Sequence, residues 1–138
     1  MKNKKTVGIL ILLLFAILFI ILQFTKTIEA KDLLTEEFFS DKTHIIVERI
    51  IDVNFEEINL SENHEKELVS LLENAELKEV KEQNRPTPLD AEYRIVSKED
   101  QIYIFVEENV IVFPKRNSKA YKVINNNNFI EEIEEILK

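Results

Sequence analysis

The sequence predicts an α+β protein in which a single N-terminal transmembrane helix is followed by a small antiparallel-sheet domain with two helices packed on it. Three observations support this prediction. An uncharged apolar run occupies residues 7–24. Residues 92–124 contain short apolar runs that alternate with period two, as strands do. Two further segments, about 62–75 and 126–137, place their apolar residues on one stripe, as amphipathic helices do.

Residues 7–24 are long enough to cross a bilayer. A helix of this length spans about 27 Å, close to the hydrocarbon thickness, and an isolated span must be helical because lipid offers no hydrogen bonds. A cleaved signal peptide has a shorter apolar core and small residues before its cleavage site. The nearest such site here ends at Ala30, and bulky Ile28 lies two residues before it. We therefore expect an uncleaved signal anchor whose partner is the lipid bilayer.

The basic residues predict the orientation of this anchor. Lys2, Lys4 and Lys5 precede the span, which favours a cytoplasmic N-terminus and a C-terminal domain outside the cell membrane. This single-pass arrangement divides the chain into a cytoplasmic basic start (1–6), a transmembrane helix (7–24), a juxtamembrane connector (25–42) and an extracytoplasmic α+β domain (43–138).

The domain begins with a predicted strand over residues 43–55, because β-branched residues recur there at alternate positions. Its predicted buried face carries Ile45, Val47, Ile51 and Val53. A helix over 62–75 follows, with Ser61 as its N-cap. The predicted core positions of this helix are Leu68, Leu71, Leu72 and Ala75. A short strand over 77–81 and a loop with two prolines come next.

From residue 92 onward the links between apolar runs are too short for crossover helices, which predicts an antiparallel meander. The chain has a single glycine, Gly8, inside the span. Turns that require a positive φ must therefore use Asn or Asp, and we predict Asp100, Asn109 and Asn117 in this role. The C-terminal helix that follows carries one apolar stripe of Phe129, Ile130, Ile133, Ile136 and Leu137.

The composition excludes several classes of function. Without further glycines the chain cannot form phosphate-binding loops, a dinucleotide fingerprint or a nucleophile elbow. It has no cysteine, so it has no thiol nucleophile and no thiolate metal site. Beyond the span it has 15 basic and 26 acidic residues, a net charge of −11, which disfavours nucleic acid as a partner. We predict no catalytic residue, cofactor or metal, and interpret His64 as an exposed residue at a helix start.

The segment 101–108 is apolar on both sides. Alternation places Ile102, Ile104 and Val106 on one face, and Tyr103 and Phe105 on the other. One interpretation is a central strand that is covered on both sides. The other is that Tyr103 and Phe105 bind an envelope protein, since exposed aromatic patches mark interaction surfaces. We expect the helices to cover the first face and the connector to shield the second through Leu33, Leu34, Phe38 and Phe39.

The basic start, the span and the segments INLSENHEKELVSLLENAEL, EYRIVSKEDQIYIFVEENVIVF and AYKVINNNNFIEEIEEIL form one pattern. This pattern resembles small signal-anchored exported proteins of Gram-positive bacteria that contain domains of unknown function. The resemblance implies export and anchoring and brings no catalytic residues. We expect a non-enzymatic binding or regulatory module at the cell envelope. The alternatives are a carboxylate-based or cation-dependent hydrolase, which needs convergent buried carboxylates, and a structural membrane protein.

Overall fold

The structure, a computed structural model, describes residues 2–24, 26–40 and 43–138. Helix α1 (Lys2–Phe24) includes the predicted span, and its segment Asn3–Gln23 is long and apolar enough to cross a membrane. The first residue of the predicted cytoplasmic start, and residues 25, 41 and 42 of the predicted connector, lie outside the described residues.

The described chain after α1 forms one antiparallel sheet and two helices, which confirms the predicted α+β architecture. The helices are α2 (Glu62–Glu73) and α3 (Phe129–Leu137). The strands are β1 (Ile28–Glu29), β2 (Ile46–Ile51), β3 (Asn54–Ile58), β4 (Glu76–Glu79), β5 (Tyr93–Val96), β6 (Gln101–Phe105), β7 (Val110–Phe113) and β8 (Lys119–Val123). Their order across the sheet is β1, β4, β8, β7, β6, β5, β2, β3.

The segment predicted as one strand over 43–55 is instead interrupted by the turn of a hairpin between β2 and β3. The register pairs Ile51 with Asn54 and leaves Asp52 and Val53 as a two-residue turn. Both turn residues have a positive φ, of 46° and 63°, as a type I′ turn requires. The sequence did not suggest this turn because valine is not a turn residue. Ile51 and Val53 are consequently exposed, although Ile45 and Val47 are buried as predicted.

Strands β5 to β8 form the predicted meander, each paired with the next along the chain. Asn109 and Asn117 have a positive φ, of 54° and 57°, as the shortage of glycine predicts. Asp100 has a different role from the predicted one, since its carboxylate is buried and anchors the connector. The Asp100 carboxylate accepts hydrogen bonds from the backbone N–H and the hydroxyl of Thr35, at 3.1 and 2.5 Å.

Helices α2 and α3 pack on one face of the sheet, which we call the helix face. This is the face that displays Ile102, Ile104 and Val106, as the alternation of β6 predicted. Each helix has a single apolar stripe and buries it against one neighbouring layer. Here that layer is the sheet. The buried stripe of α3 consists, as predicted, of Phe129, Ile130, Ile133, Ile136 and Leu137.

Helix α2 begins at its predicted cap. The Ser61 hydroxyl accepts the backbone N–H of His64 at 3.2 Å. Leu68 and Leu72 are fully buried against the sheet. Leu71 was predicted in the core as well, but it is only half-buried at the margin of the helix-face cluster. The core-facing stripe of α2 is therefore narrower than the sequence suggested.

The connector folds back onto the sheet rather than extending the membrane helix. Strand β1 pairs with β4 at the edge of the sheet, and the N–H of Ala30 donates to the Ala75 carbonyl at 2.9 Å. Two 3-10 turns, Ala30–Asp32 and Glu36–Phe39, follow β1. From Ile28 onward the described residues of the connector thus pair with the sheet edge and pack against the core.

The connector covers the helix face and not the opposite one. Ala30, Leu34 and Phe38 are buried in the same cluster as the helix stripes. The prediction that the connector shields Tyr103 and Phe105 is therefore wrong. The physical reason is the position of β1. It forms the edge of the sheet next to β4, and the two 3-10 turns that follow it contact α2, so the connector's apolar side chains pack on the helix face.

The opposite sheet face, which we call the second face, is covered by the segment that joins β4 to β5. Three strands, β8, β7 and β6, separate β4 from β5, so residues 80–92 have to cross them. Val80 and Ala91 pack there against a cluster that contains Phe105, Val110 and Val112. This segment covers the second face only in part, which leaves the end beside the β2–β3 hairpin open.

Candidate partner-binding surface

The two predicted site residues, Tyr103 and Phe105, both lie on the second face but in different environments. Phe105 is fully buried beside Val110 and Val112, so it belongs to the core. Tyr103 is half-buried and lines a depression of about 180 Å³. Of the two, only Tyr103 is accessible to another molecule.

The depression is lined by Ile50, Val53, Phe55, Leu89 and Tyr103, which we call the hairpin surface. Its outer members are exposed: 71% of Val53, 48% of Phe55 and 75% of Leu89 is accessible. Isolated apolar residues are common on protein surfaces, whereas contiguous ones mark sites of interaction. The hairpin surface is therefore the best candidate for a binding site in the described part of the chain.

The strand register brings these residues together. Phe55 stands opposite Ile50 in the β2–β3 pair, and Tyr103 lies two strands away from β2, across Arg94 of β5. Leu89 comes from the segment that crosses the second face. Three separate parts of the chain thus contribute to one surface, which is why no local sequence pattern revealed it.

Arg94 supports the exposed ring of Phe55. Its guanidinium carbon lies 3.9 Å from the centroid of that ring, and its Nη2 lies 2.5 Å from the Glu48 carboxylate. The cation–π contact and the ion pair together hold the ring in one orientation. A side chain that is already ordered loses less conformational entropy when a partner binds. The ring of Phe55 is therefore exposed and already ordered, which lowers the entropy cost of binding a partner there.

Val53 occupies a strained backbone position at the tip of the hairpin. Its φ of 63° is unfavourable for a β-branched residue, because the branched Cβ crowds the neighbouring carbonyl. Such conformations cost on the order of 1–3 kcal/mol. The side chain is 71% exposed and gains little from burial. An apolar residue at this position therefore opposes stability, which favours a role in binding.

A second concavity, of about 500 Å³, lies beside α2. It is lined by Phe39, Ser40, Thr43, His44, Glu62, Glu65, Lys66, Val69, Ser70 and Glu73. His44 Nδ1 lies 3.5 Å from Glu65 Oε1, and the same oxygen accepts the N–H of Ile45 at 2.9 Å. The sequence analysis missed this pair because the fold, and not the spacing along the chain, brings His44 to α2.

The carboxylates that line this groove are mostly exposed. Glu62 and Glu73 are exposed and Glu65 is half-buried, whereas the hydrolase considered from the sequence would need convergent buried acids. The Lys66 ammonium, hydrogen-bonded to Glu62 at 2.7 Å, lowers the pKa of the Glu62 carboxyl.

Among the described residues, no three His, Cys, Asp or Glu side chains are grouped to hold a metal ion. His64 is exposed at the start of α2, as predicted.

Comparison of the chain with models of known protein families, with curated proteins and with solved structures finds no match in any of the three. Function is therefore inferred from the geometry and charge of the chain itself.

Proposed function

We propose that this protein is a membrane-anchored, extracytoplasmic binding or regulatory module of the bacterial cell envelope, and that its hairpin surface contacts a partner protein. Helix α1 supports the anchor, and Lys2, Lys4 and Lys5 support a cytoplasmic N-terminus. The resemblance to small signal-anchored exported proteins of Gram-positive bacteria supports the location. The activity is binding rather than catalysis.

One observation carries the proposal: the exposed apolar residues of the hairpin surface are contiguous, and polar groups surround them. Glu48, Arg94 and Gln101 lie next to the surface, and the Gln101 amide donates to the Tyr103 hydroxyl at 3.1 Å. Apolar and aromatic anchors inside a polar rim are the usual composition of protein–protein contacts. This arrangement contributes little to folding, since its outer members remain in solvent.

The anchor keeps the domain close to the membrane. Ile28 follows Phe24 by four residues, so β1 begins at most about 14 Å from the end of α1. Because the tether is this short, the domain stays near the membrane, and its effective concentration around other proteins of that membrane is high. The natural partner is therefore a protein in, or bound to, that membrane.

The acidity of the domain favours a protein over lipid or nucleic acid. The chain beyond the span has a net charge of −11, and Glu48 and Glu57 lie beside the hairpin surface. Anionic phospholipid head groups and nucleic acid phosphates are repelled by such a surface. A protein with a basic rim around an apolar centre is attracted to it.

Single introduced cysteines test the orientation, because the natural chain has none. We expect a membrane-impermeant maleimide to label Asn117→Cys in intact cells, and to label Asn3→Cys only after lysis. Release of an unanchored domain into the medium, or the reverse labelling pattern, would contradict the anchored orientation.

Capture experiments test the binding surface. We expect membranes of the producing organism, solubilised in mild detergent, to yield a protein with the natural chain and much less of it with Leu89→Ser. Ile124→Ser is the matched control, because Ile124 is also an exposed apolar residue (42%) but lies outside the hairpin surface. Equal recovery with all three chains would remove this surface from the proposal.

A further inference from the structure

Strand β3 is an open edge of the sheet. It pairs with β2 on one side, and no strand of the described chain pairs with it on the other. The opposite edge of the sheet ends in β1, which has only two residues. A short terminal strand is one way in which proteins block an edge, and β3, with five mostly exposed residues, lacks that protection.

The hydrogen bonds of β2 show which groups of β3 face outward. The N–H of Ile50 donates to the carbonyl of Glu92, towards β5, at 2.8 Å. Ile50 therefore does not bond to Phe55, its partner in the β2–β3 register. Bonding alternates along an antiparallel strand, so the N–H and C=O groups of both Phe55 and Glu57 point away from the sheet. They can pair with an additional strand.

The charge along this edge selects a basic segment. Glu57 stands opposite Glu48 in the register, and like charges at such positions repel. Arg94 neutralises Glu48 through its ion pair, whereas no cation contacts Glu57 in the part of the chain that the structure describes. A basic side chain on an added strand would supply the missing partner of Glu57.

A second copy of the chain fits this edge poorly. Two-fold antiparallel pairing of two β3 strands around their central residue would place the two Glu56 side chains directly opposite each other. In the same arrangement each Glu57 would stand opposite Phe55 of the other copy, so neither Glu57 carboxylate would gain a cation. The acidic edge therefore acts against self-association while it remains open to a cationic strand.

We propose that β3 accepts an extended segment of the partner protein as an added antiparallel strand, with a basic residue opposite Glu57 and an apolar residue opposite Phe55. The backbone groups of β3 supply the hydrogen bonds, and Glu57 and the hairpin surface supply the specificity. This inference rests on the proposed function and names the way in which the partner is recognised.

A synthetic peptide tests the inference with the full-length protein in micelles of a non-ionic detergent. The peptide, Thr-Val-Arg-Thr-Phe-Val-Thr, places arginine opposite Glu57 and phenylalanine opposite Phe55. One comparison peptide has glutamate in place of arginine. Another has N-methyl groups on the arginine and phenylalanine amides, which removes the two backbone donors and keeps the charge. Binding is measured by fluorescence anisotropy, and protection of the Phe55 and Glu57 amides by hydrogen exchange.

We expect the arginine peptide to bind and to slow exchange of the Phe55 and Glu57 amides. The glutamate and N-methyl peptides should each bind at least about tenfold more weakly. Glu57→Lys should weaken binding of the arginine peptide by about tenfold or more, whereas Glu56→Lys, with the same net charge but a side chain on the other face, should change it much less.

Three results would overturn strand addition: no binding of the arginine peptide at about 1 mM, equal binding of the N-methyl peptide, or equal effects of Glu57→Lys and Glu56→Lys. Protection of β3 through self-association without peptide would assign the edge to a second copy and overturn it as well. None of these results affects capture through Leu89, which tests the proposed function separately.

Discussion

The two faces of the sheet differ in how completely they are covered. The helix face is closed by α2, α3 and the connector, and the largest side chains there are fully buried. The second face has one covering segment, residues 80–92, which leaves the hairpin surface in solvent. If the hairpin surface binds a partner as we propose, substitutions on the closed helix face should act mainly on stability, and substitutions of exposed residues on the second face should act mainly on binding.

The largest loss of stability is expected on the helix face. Leu72→Ala removes a fully buried side chain and should lower the free energy of unfolding by about 2–5 kcal/mol. Leu71→Ala should cost less, because Leu71 is half-buried. Urea denaturation of the full chain in micelles measures both variants. A Leu72→Ala variant as stable as the natural chain would contradict the packing of α2.

A smaller loss is expected where the connector meets the sheet. Asp100→Ala leaves the N–H and hydroxyl of Thr35 without their shared acceptor, which should cost about 1–3 kcal/mol. Asp100→Asn, which keeps one acceptor oxygen in place, should cost less. The same denaturation experiment compares them. If Asp100→Ala had no effect, the connector would not be anchored as described.

A gain in stability is expected at the tip of the hairpin. Val53→Asn relieves the strain of a β-branched residue at positive φ and should stabilise the domain by about 1 kcal/mol. The reciprocal variant Asn109→Val places valine in another turn of positive φ and should destabilise by a similar amount. Val53→Asn should also weaken capture of the partner. A destabilised Val53→Asn variant would show that the valine serves the fold.

The smallest effect on stability is expected within the exposed part of the hairpin surface. Leu89→Ser should change the free energy of unfolding by no more than about 0.5 kcal/mol, because the side chain is 75% exposed. Its effect on partner capture should nevertheless be large. Thermal unfolding of Leu89→Ser beside Leu72→Ala sharpens the comparison, and a loss of similar size in both variants would remove the distinction between the faces.

Local patterns predicted most of the architecture. Period-two alternation identified the meander, the single stripes identified α2 and α3, and the shortage of glycine identified the turns at Asn109 and Asn117. The β2–β3 hairpin was missed because Val53 does not resemble a turn residue. The connector was misplaced because its contacts depend on which edge β1 joins, and this is a long-range property of the sheet.

The candidate site was predicted only in part. Alternation correctly placed Tyr103 and Phe105 on the same face, but it carries no information on which end of that face is covered. The crossing of β8, β7 and β6 by residues 80–92 buries Phe105 and leaves Tyr103 at the open end. The same tertiary arrangement brings Leu89 and Phe55 next to Tyr103, and no local sequence pattern predicted either of them at the site.

Site-specific photo-crosslinking in living cells tests the central claim most directly. A photoreactive phenylalanine analogue would replace Phe55 on the hairpin surface or, as the control, Glu131 on the exposed side of α3. Both chains would be illuminated in the organism that produces the protein. Our account predicts a discrete protein adduct from position 55 and none from position 131. Adducts of equal yield from both positions, or an adduct from position 131 alone, would contradict it.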